Sequence, residues 1–427
     1  MTEPIDVSAD PPPPGVGIAE AVPSGDRSRV RAPAVDLAPP GEGRGSSGGP
    51  GTASARAVAL RTLEAVDAGA YANLALPAML RSVERTSSIT PRDRAFATEL
   101  TYGTIRMQRS CDWVIDQHAS RDVDPGTRRV LRLGVYQLVF LKTPPHAAVS
   151  ATVDLAPARS RGFVNAVLRR VAASPDPEWP DNATSLSYPD WIIDRLNKDL
   201  GDLTTMQVLL AMNEPATVTR RLDGYVQDLA SQFVGEFLGA QPGELVLDLC
   251  AAPGGKATAA AATGATVFAA DIHHHRAKLI VENTTKLGLG HRVIPVVCDS
   301  RNAPFPPDTF ERVLVDAPCS GLGSLRRRPD ARWRIQESDI AGLVQLQRSL
   351  LTAASQLVRV GGWIVYSACT LTLAESVAID TWAKTHLSQL EAGPRPMGYG
   401  WEPLGRGARL LPGDSDGMVA FTYRRSE

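Results

Sequence analysis

Two cysteines stand in turns where a thiol could do chemistry. Cys319 lies in Asp316-Ala317-Pro318-Cys319-Ser320-Gly321, and Cys369 in Ser367-Ala368-Cys369-Thr370. Each turn follows an apolar, strand-like run, ending at Val315 in one case and Tyr366 in the other. Both therefore fall at the carboxyl edge of a sheet, where open parallel sheets bind their ligands. A thiolate there can add to carbon 6 of cytosine while an acid, Asp316, supports N3. The ring becomes enamine-like, and carbon 5 can attack an electrophilic methyl group. A base must then remove the carbon 5 proton so that the thiolate is expelled. The plainer reading of a cysteine is a small buried hydrophobe. It suits Cys250 and Cys298, in or at the end of apolar strands, and Cys111, on a helix. An amine-methylating site would carry an Asp/Asn-Pro-Pro-aromatic turn instead. Position alone leaves open which cysteine attacks.

A second turn points to the methyl donor. Asp248-Leu249-Cys250-Ala251-Ala252-Pro253-Gly254-Gly255-Lys256 joins a buried strand to an Ala-rich helix. Asp271 ends the next strand, 17 residues beyond Gly254, near the offset at which a carboxylate grips ribose hydroxyls. The turn has neither the G-x-G-x-x-G of dinucleotide sites nor the G-x-x-x-x-G-K-[ST] of phosphate loops. S-adenosylmethionine is a nucleoside without phosphates and needs only close backbone approach. A double glycine alone could be just a tight turn. Asp271, Asp299 and Asp316, all at strand ends, strengthen the nucleoside reading.

The elements that position these turns form two regions. From Ser54 to Ser174, apolar residues recur at three- and four-residue intervals, so 54–174 is expected to be all helical. Thr90 followed by Pro91 reads as an N-cap and first helical residue. Residues 175–225 begin with a Pro-rich linker, continue as two helices over DWIIDRLNKDLG and TTMQVLLAMN, and end in a short extended stretch. From 226 to 427 strands alternate with helices, which predicts an α/β domain with a mostly parallel sheet. Residues 1–53 are rich in Pro and Gly and hold no aromatic residue, a composition expected to stay disordered.

Composition narrows the class. The 427 residues are 43% hydrophobic and 21% charged, with no apolar run long enough to span a membrane and no basic, apolar leader at the N-terminus. Five cysteines, none in a C-x-x-C pair, argue against a disulfide framework or structural zinc and for the reducing cytoplasm. His273-His274-His275 starts a helix and is read as solvated, so no metal is expected. Residues 54–170 carry 17 Lys/Arg against 10 Asp/Glu, nearly all arginine, which suits either a polyanionic partner or a solvated surface. Arg326, Arg327 and Arg328, then Arg332-Trp333-Arg334, follow the Cys319 turn and are read as RNA contacts.

CAAPGGK, DAPCSG and YSACT, in this order, resemble the signature motifs of bacterial RNA cytosine-C5 methyltransferases, the Sun/Fmu branch of the NOL1/NOP2/Sun family. LTYGTIR, LRLGVYQL and GFVNAVLRR resemble the NusB-type RNA-binding domain that this branch carries at its N-terminus. The resemblance, from about residue 54 onward, implies a Rossmann-like methyltransferase domain behind an all-α NusB-like one. It implies small-subunit (16S) rRNA as substrate, S-adenosylmethionine as cofactor, and a monomer. The cofactor site would comprise Cys250, Ala251, Ala252, Pro253, Gly254, Gly255, Lys256, Asp271, Asp299 and Asp316. Cys369 would be the nucleophile and Cys319 would assist release. Asp416-Gly417-Met418-Val419-Ala420 matches a closing strand that usually holds two aromatics, and Ala368 replaces a common Thr. The family's small β-rich subdomain is nearly missing, since Val218–Leu222 is followed almost directly by Val226. A non-catalytic RNA-binding scaffold and a tRNA methyltransferase are the competing expectations.

Overall fold

A computed structural model describes residues 54–426; the expected disordered tail, 1–53, lies outside the described residues. The helical region comprises α1 (Ala55–Asp67), α2 (Ala72–Thr86), α3 (Pro91–Arg106), α4 (Gln108–His118), α5 (Pro125–Val135), α6 (Pro145–Val153) and α7 (Arg161–Ala173). Thr90 caps α3 as expected, its hydroxyl accepting from Asp93 N at 3.1 Å with Pro91 in the first turn. Asp124 and Pro125 repeat the device at α5. One apolar cluster, including Leu100, Leu131, Leu133, Val164 and Leu168, fills the space between these helices. Cys111 is part of it, and burial drives its thiol far up, out of reach of chemistry.

The stretch expected as a Pro-rich linker is more ordered than its composition suggests. It holds the short α8 (Asn182–Leu186), capped by Asp181; the two helices expected after it are α9 (Asp190–Leu200) and α10 (Asp202–Ala211). Tyr188, Ile192, Leu196, Val208 and Leu209 form a separate core. The short extended segment that follows makes a single antiparallel bridge, Arg220 to Val226.

Next come α11 (Leu229–Phe237), β1 (Leu245–Asp248), α12 (Gly255–Ala262), β2 (Thr266–Asp271), α13 (His274–Lys286), β3 (Val293–Val297), β4 (Phe310–Asp316), α14 (Asp339–Leu357) and β5 (Val358–Ala368). The chain ends with α15 (Val377–His386), β6 (Leu390–Ala392), β7 (Glu402–Leu404), β8 (Gly407–Leu410) and β9 (Met418–Arg425). The strand order is β3-β2-β1-β4-β5-β9-β8-β7, with β6 also on β9. β1 to β5 are mutually parallel, and β9 runs antiparallel to β5. The sheet is thus mixed rather than mostly parallel. Its first five strands are Rossmann-like, and the last four return as hairpins too short or too mixed in pattern to show period-two alternation. Apolar clusters cover both faces, one under α14 and α15, the other under α11, α12 and α13. Chain order reverses between β1 and β4, which opens a crevice at their carboxyl ends.

Candidate active site

The turns singled out from the sequence gather at or beside this crevice, that of Asp299 included: its neighbour Ser300 donates through Oγ to Leu249 O at 2.6 Å. After β1, Ala251 N donates to Ala270 O at 2.8 Å, which ties the turn to β2. Gly254 has φ +102°, a conformation only glycine adopts without strain. Gly255 begins α12, and a Cβ there would stand 3.0 Å from both Gln227 and Tyr225. Lys256, one turn into the crevice, is buried and donates to Asp316 Oδ2 at 2.6 Å. Burial alone would lower this ammonium, but the charge and hydrogen bond of Asp316 outweigh it and hold it above its ordinary value. Asp316 also accepts from Ser367 Oγ at 2.8 Å, so its carboxylate is fixed between β4 and β5.

Asp248 is a site residue to which the sequence reading gave no role. It is buried at the end of β1 and accepts from Cys250 N at 3.2 Å, shaping the turn. Burial, then the negative charge of Asp316, pushes it up to about 7. Asp271, also buried, accepts from His273 N at 2.9 Å and lies 3.4 Å from Arg276 Nε. Cys250 is pushed well above its ordinary value by burial and the surrounding carboxylates, so it serves as backbone rather than as a thiol. Asp299 is paired locally. It ends the β3 segment at the sheet edge and grips Arg301 with both oxygens, the closest contact being 2.7 Å. That hydrogen-bonded pair holds its carboxyl below the usual range.

The crevice therefore presents three carboxyl groups, Asp248, Asp271 and Asp316, with Lys256 on Asp316 and Arg276 beside Asp271, next to a backbone that glycines leave open. A cation bearing a ribose diol suits this set: the carboxylates accept hydroxyl hydrogens and balance a sulfonium, and the turn admits the ligand closely. S-adenosylmethionine fits these donors.

The two thiols meet. Cys319 Sγ and Cys369 Sγ lie 3.3 Å apart, although the residues are separated by 50 positions. The hydrogen bond from Cys319 stabilises a thiolate on Cys369; Arg328 and Ser324 add to this against the burial penalty, and the Cys369 thiol comes down to about 7. The two thiols share one proton across this contact, so the shift that lowers one raises the other, and Cys319 is driven well up. Backbone contacts join the turns as well. Gly323 N donates to Cys369 O at 3.0 Å, and Gly417 N to Gly323 O at 2.8 Å. Leu322, Leu325 and Leu371, which follow the cysteines, are buried against the α8–α10 core.

The arginine run does not do what its sequence suggested. Arg326 Nε and Arg327 Nε donate to Asp416 at 2.7 and 3.0 Å, and Arg327 also reaches Asp228 at 2.5 Å. Arg332 is fully buried; it donates to Arg106 O, Ser187 O, Asn213 Oδ1 and Tyr188 OH, and its guanidinium lies 3.9 Å from the Tyr188 ring centre. Trp333 Nε1 donates to Ile105 O at 2.8 Å, and Arg334 to Gly69 O at 2.9 Å. Five of the six residues are structural ties, most of them to the helical region. Arg328, exposed at the end of the turn, is the exception. The helical patterning of 54–174 did not reveal that its backbone carbonyls needed these donors. His273 to His275 begin α13 as expected, and among the described residues no cluster of His, Cys, Asp and Glu could hold a metal ion. No described helix is long and apolar enough to cross a membrane.

Comparison with known proteins agrees with both regions. Residues 236–419 match the family model of the 16S rRNA methyltransferase RsmB/F, and residues 53–173 match that of the NusB family. The provisionally named methyltransferase Rv1407 of Mycobacterium tuberculosis is 39% identical over 452 residues, covering 87% of this chain and 96% of its own. The ribosomal RNA small subunit methyltransferase B of Thermus thermophilus is 34% identical over 404 residues, with the same coverage of 87% and 96%. The crystal structure of PH0851 shares the fold, with a TM-score of 0.72 at 21% identity over 87% of this chain and 99% of that one.

Proposed function

The chain belongs to the RsmB/F family of 16S rRNA methyltransferases, with a NusB-family domain at its N-terminal side, and from that premise we propose that it methylates carbon 5 of a cytosine in 16S rRNA through a covalent cysteine adduct. The enzymes of this family are S-adenosylmethionine-dependent. The cofactor supplies an electrophilic methyl group; Asp271 and the Cys250–Lys256 turn are the residues that would hold it, with Asp299 available once it shares or leaves Arg301.

The observation that carries the proposal is the 3.3 Å contact between Cys369 and Cys319 beside Asp316. The Cys369 thiolate adds to carbon 6, and its electron pair moves the ring's charge toward N3. In this reading Asp316, held by Lys256 and Ser367, supports N3 as that charge develops. Once carbon 5 has been methylated and has lost its proton, the carbon–sulfur bond must break with its electron pair returning to Cys369. With Cys369 leaving as thiolate, the Cys319 thiol 3.3 Å away is the partner that would donate to it and stabilise it. The contact supports a thiol pair sharing one proton; the assignment of attack to Cys369 and release to Cys319 follows the family resemblance. We place the activity in the cytoplasm, where 16S rRNA is made and thiols stay reduced.

The test uses labelled cofactor and unmodified small-subunit RNA. Cys369→Ala should transfer no methyl group and form no adduct. Cys319→Ala should leave an RNA–protein adduct that survives a denaturing gel. An adduct on Cys369→Ala instead would exchange the two roles, and RNA binding without transfer by the wild type would leave only a scaffold.

A further inference from the structure

Glu375 lies in the loop between β5 and α15, outside every motif, and its carboxylate is fully buried. Oε1 accepts from Ser320 N at 2.8 Å and Gln347 Nε2 at 3.1 Å. Oε2 accepts from Ser320 Oγ at 2.6 Å, Thr370 Oγ1 at 2.7 Å and Thr372 Oγ1 at 2.9 Å. Ser320 directly follows Cys319, and Thr370 directly follows Cys369. Gln347 also donates to Pro318 O at 2.9 Å, on the other side of Cys319. Tyr366 OH, from the end of β5, donates to Glu375 O at 2.8 Å and fixes the backbone that carries the carboxylate.

We propose that Glu375 is the positioning residue of the thiol pair: by gathering donors from both cysteine turns onto one carboxylate, it sets the distance between Cys319 and Cys369. The consequence for catalysis rests on the covalent mechanism proposed above; the geometric role does not. Both turns are irregular loops beyond the sheet's ladder, joined by few backbone bonds, and a buried acceptor fixes such loops only if it can take donors from both. A carboxylate has about four lone-pair directions and no hydrogen to give, so the Ser320 amide and three hydroxyls can all point inward. Glutamine keeps one oxygen but turns an NH2 group toward the hydroxyls, which must rotate to accept. Thr370 and Ser320 then cease to be held from a common centre. Glu375 touches none of the residues of the Cys250–Lys256 turn in the hydrogen bonds described, so its loss should spare cofactor binding.

Glu375→Gln and Thr370→Val in the full chain test this. With RNA and cofactor, kcat should fall by about 10- to 100-fold, the scale set by misplaced reacting groups, with cofactor KM unchanged. Without RNA, diamide oxidises the two thiols to a disulfide while its azo group is reduced to the hydrazine. Closure of Cys319–Cys369, read by peptide mass, should slow about tenfold in the variants as the sulfurs separate. The pH midpoint of Cys369 alkylation should rise from about 7, because the groups facing that sulfur are Cys319, Ser324, Arg328, Asp316 and Lys256 and only the Cys319 partner is displaced. A Glu375→Gln protein that closes the disulfide and alkylates as wild type does overturns the proposal. If that variant fails to fold, Thr370→Val decides by the same two readings: slower closure supports the role, wild-type closure overturns it. Wild-type protein that methylates no rRNA would refute the mechanism above, while the disulfide and alkylation readings would still decide the role of Glu375.

Discussion

Replacing Cys319 with alanine removes the hydrogen bond that is the largest influence lowering the Cys369 thiol. That thiol stands at about 7 against an ordinary 9.0, a difference worth ~3 kcal/mol of thiolate stabilisation in a buried site. In Cys319→Ala the midpoint should move back toward 9, since burial and Asp316 both oppose the charge and only Arg328, Ser324 and Lys256 remain to favour it. Thiolate is the reactive form, so alkylation rises with pH through the midpoint. At pH 7 the ionised fraction drops from about one half to about one hundredth. The more basic thiolate is intrinsically more nucleophilic, by roughly eightfold over this range, so the net fall in alkylation rate is about sixfold. The assay is iodoacetamide labelling of Cys369 across pH 5.5 to 10, followed by mass spectrometry of the peptide that contains it. The same loss of stabilisation acts on sulfur as a leaving group, and it is why the adduct should persist in this variant. A midpoint unchanged from wild type would show that the sulfur–sulfur contact does not tune Cys369, and the reasoning for its role in release would fall with it.

Two further changes probe the joints around the site. At Gly323 a Cβ would lie 2.4 Å from Gly417 O and 3.1 Å from Cys369 O, backbone against backbone. Gly323→Ala should therefore cost ~1–3 kcal/mol and slow methyl transfer; a Tm within about 1 °C of wild type would contradict the close contact. Arg332→Ala leaves three acceptors and the Tyr188 hydroxyl buried without their partner, although burial already pulls that guanidinium down to about 10. Urea unfolding should show a loss of ~3–5 kcal/mol, and Arg332→Lys should not restore it because an ammonium offers neither the fork nor the stack.

The elements carrying the chemistry were readable because local patterns set them. Buried strands ending at Asp248, Asp271 and Asp316 are short apolar runs closed by an acid, and the Cys319 and Cys369 turns follow directly. What escaped was held by distant contacts. Glu375 sits among Thr, Leu, Ala and Ser, with no periodicity to set it apart, and its meaning appears only when Ser320, 55 residues away, is brought to it. Asp228 and Asp416 are likewise ordinary acids until Arg326 and Arg327 fold between them. The arginine run was misread for a related reason: charge in a sequence looks solvent-facing, yet carbonyls at the ends of α3 and α8 needed donors. The linker misled in the opposite sense, since its prolines hid α8 and the buried Tyr188, although the two helices after it were readable.

The bond from buried Arg332 to the carbonyl of Arg106 crosses from the segment just behind the Cys319 turn into the last residue of α3. The helical half is thus part of the mould in which the catalytic turn sets, not a detachable reader of RNA. A homologous helical domain grafted in its place would have to present the same carbonyls at the same spots, whatever RNA it preferred. Exchange of substrate range by recombination at the linker is constrained from inside the protein, by an arginine buried within it.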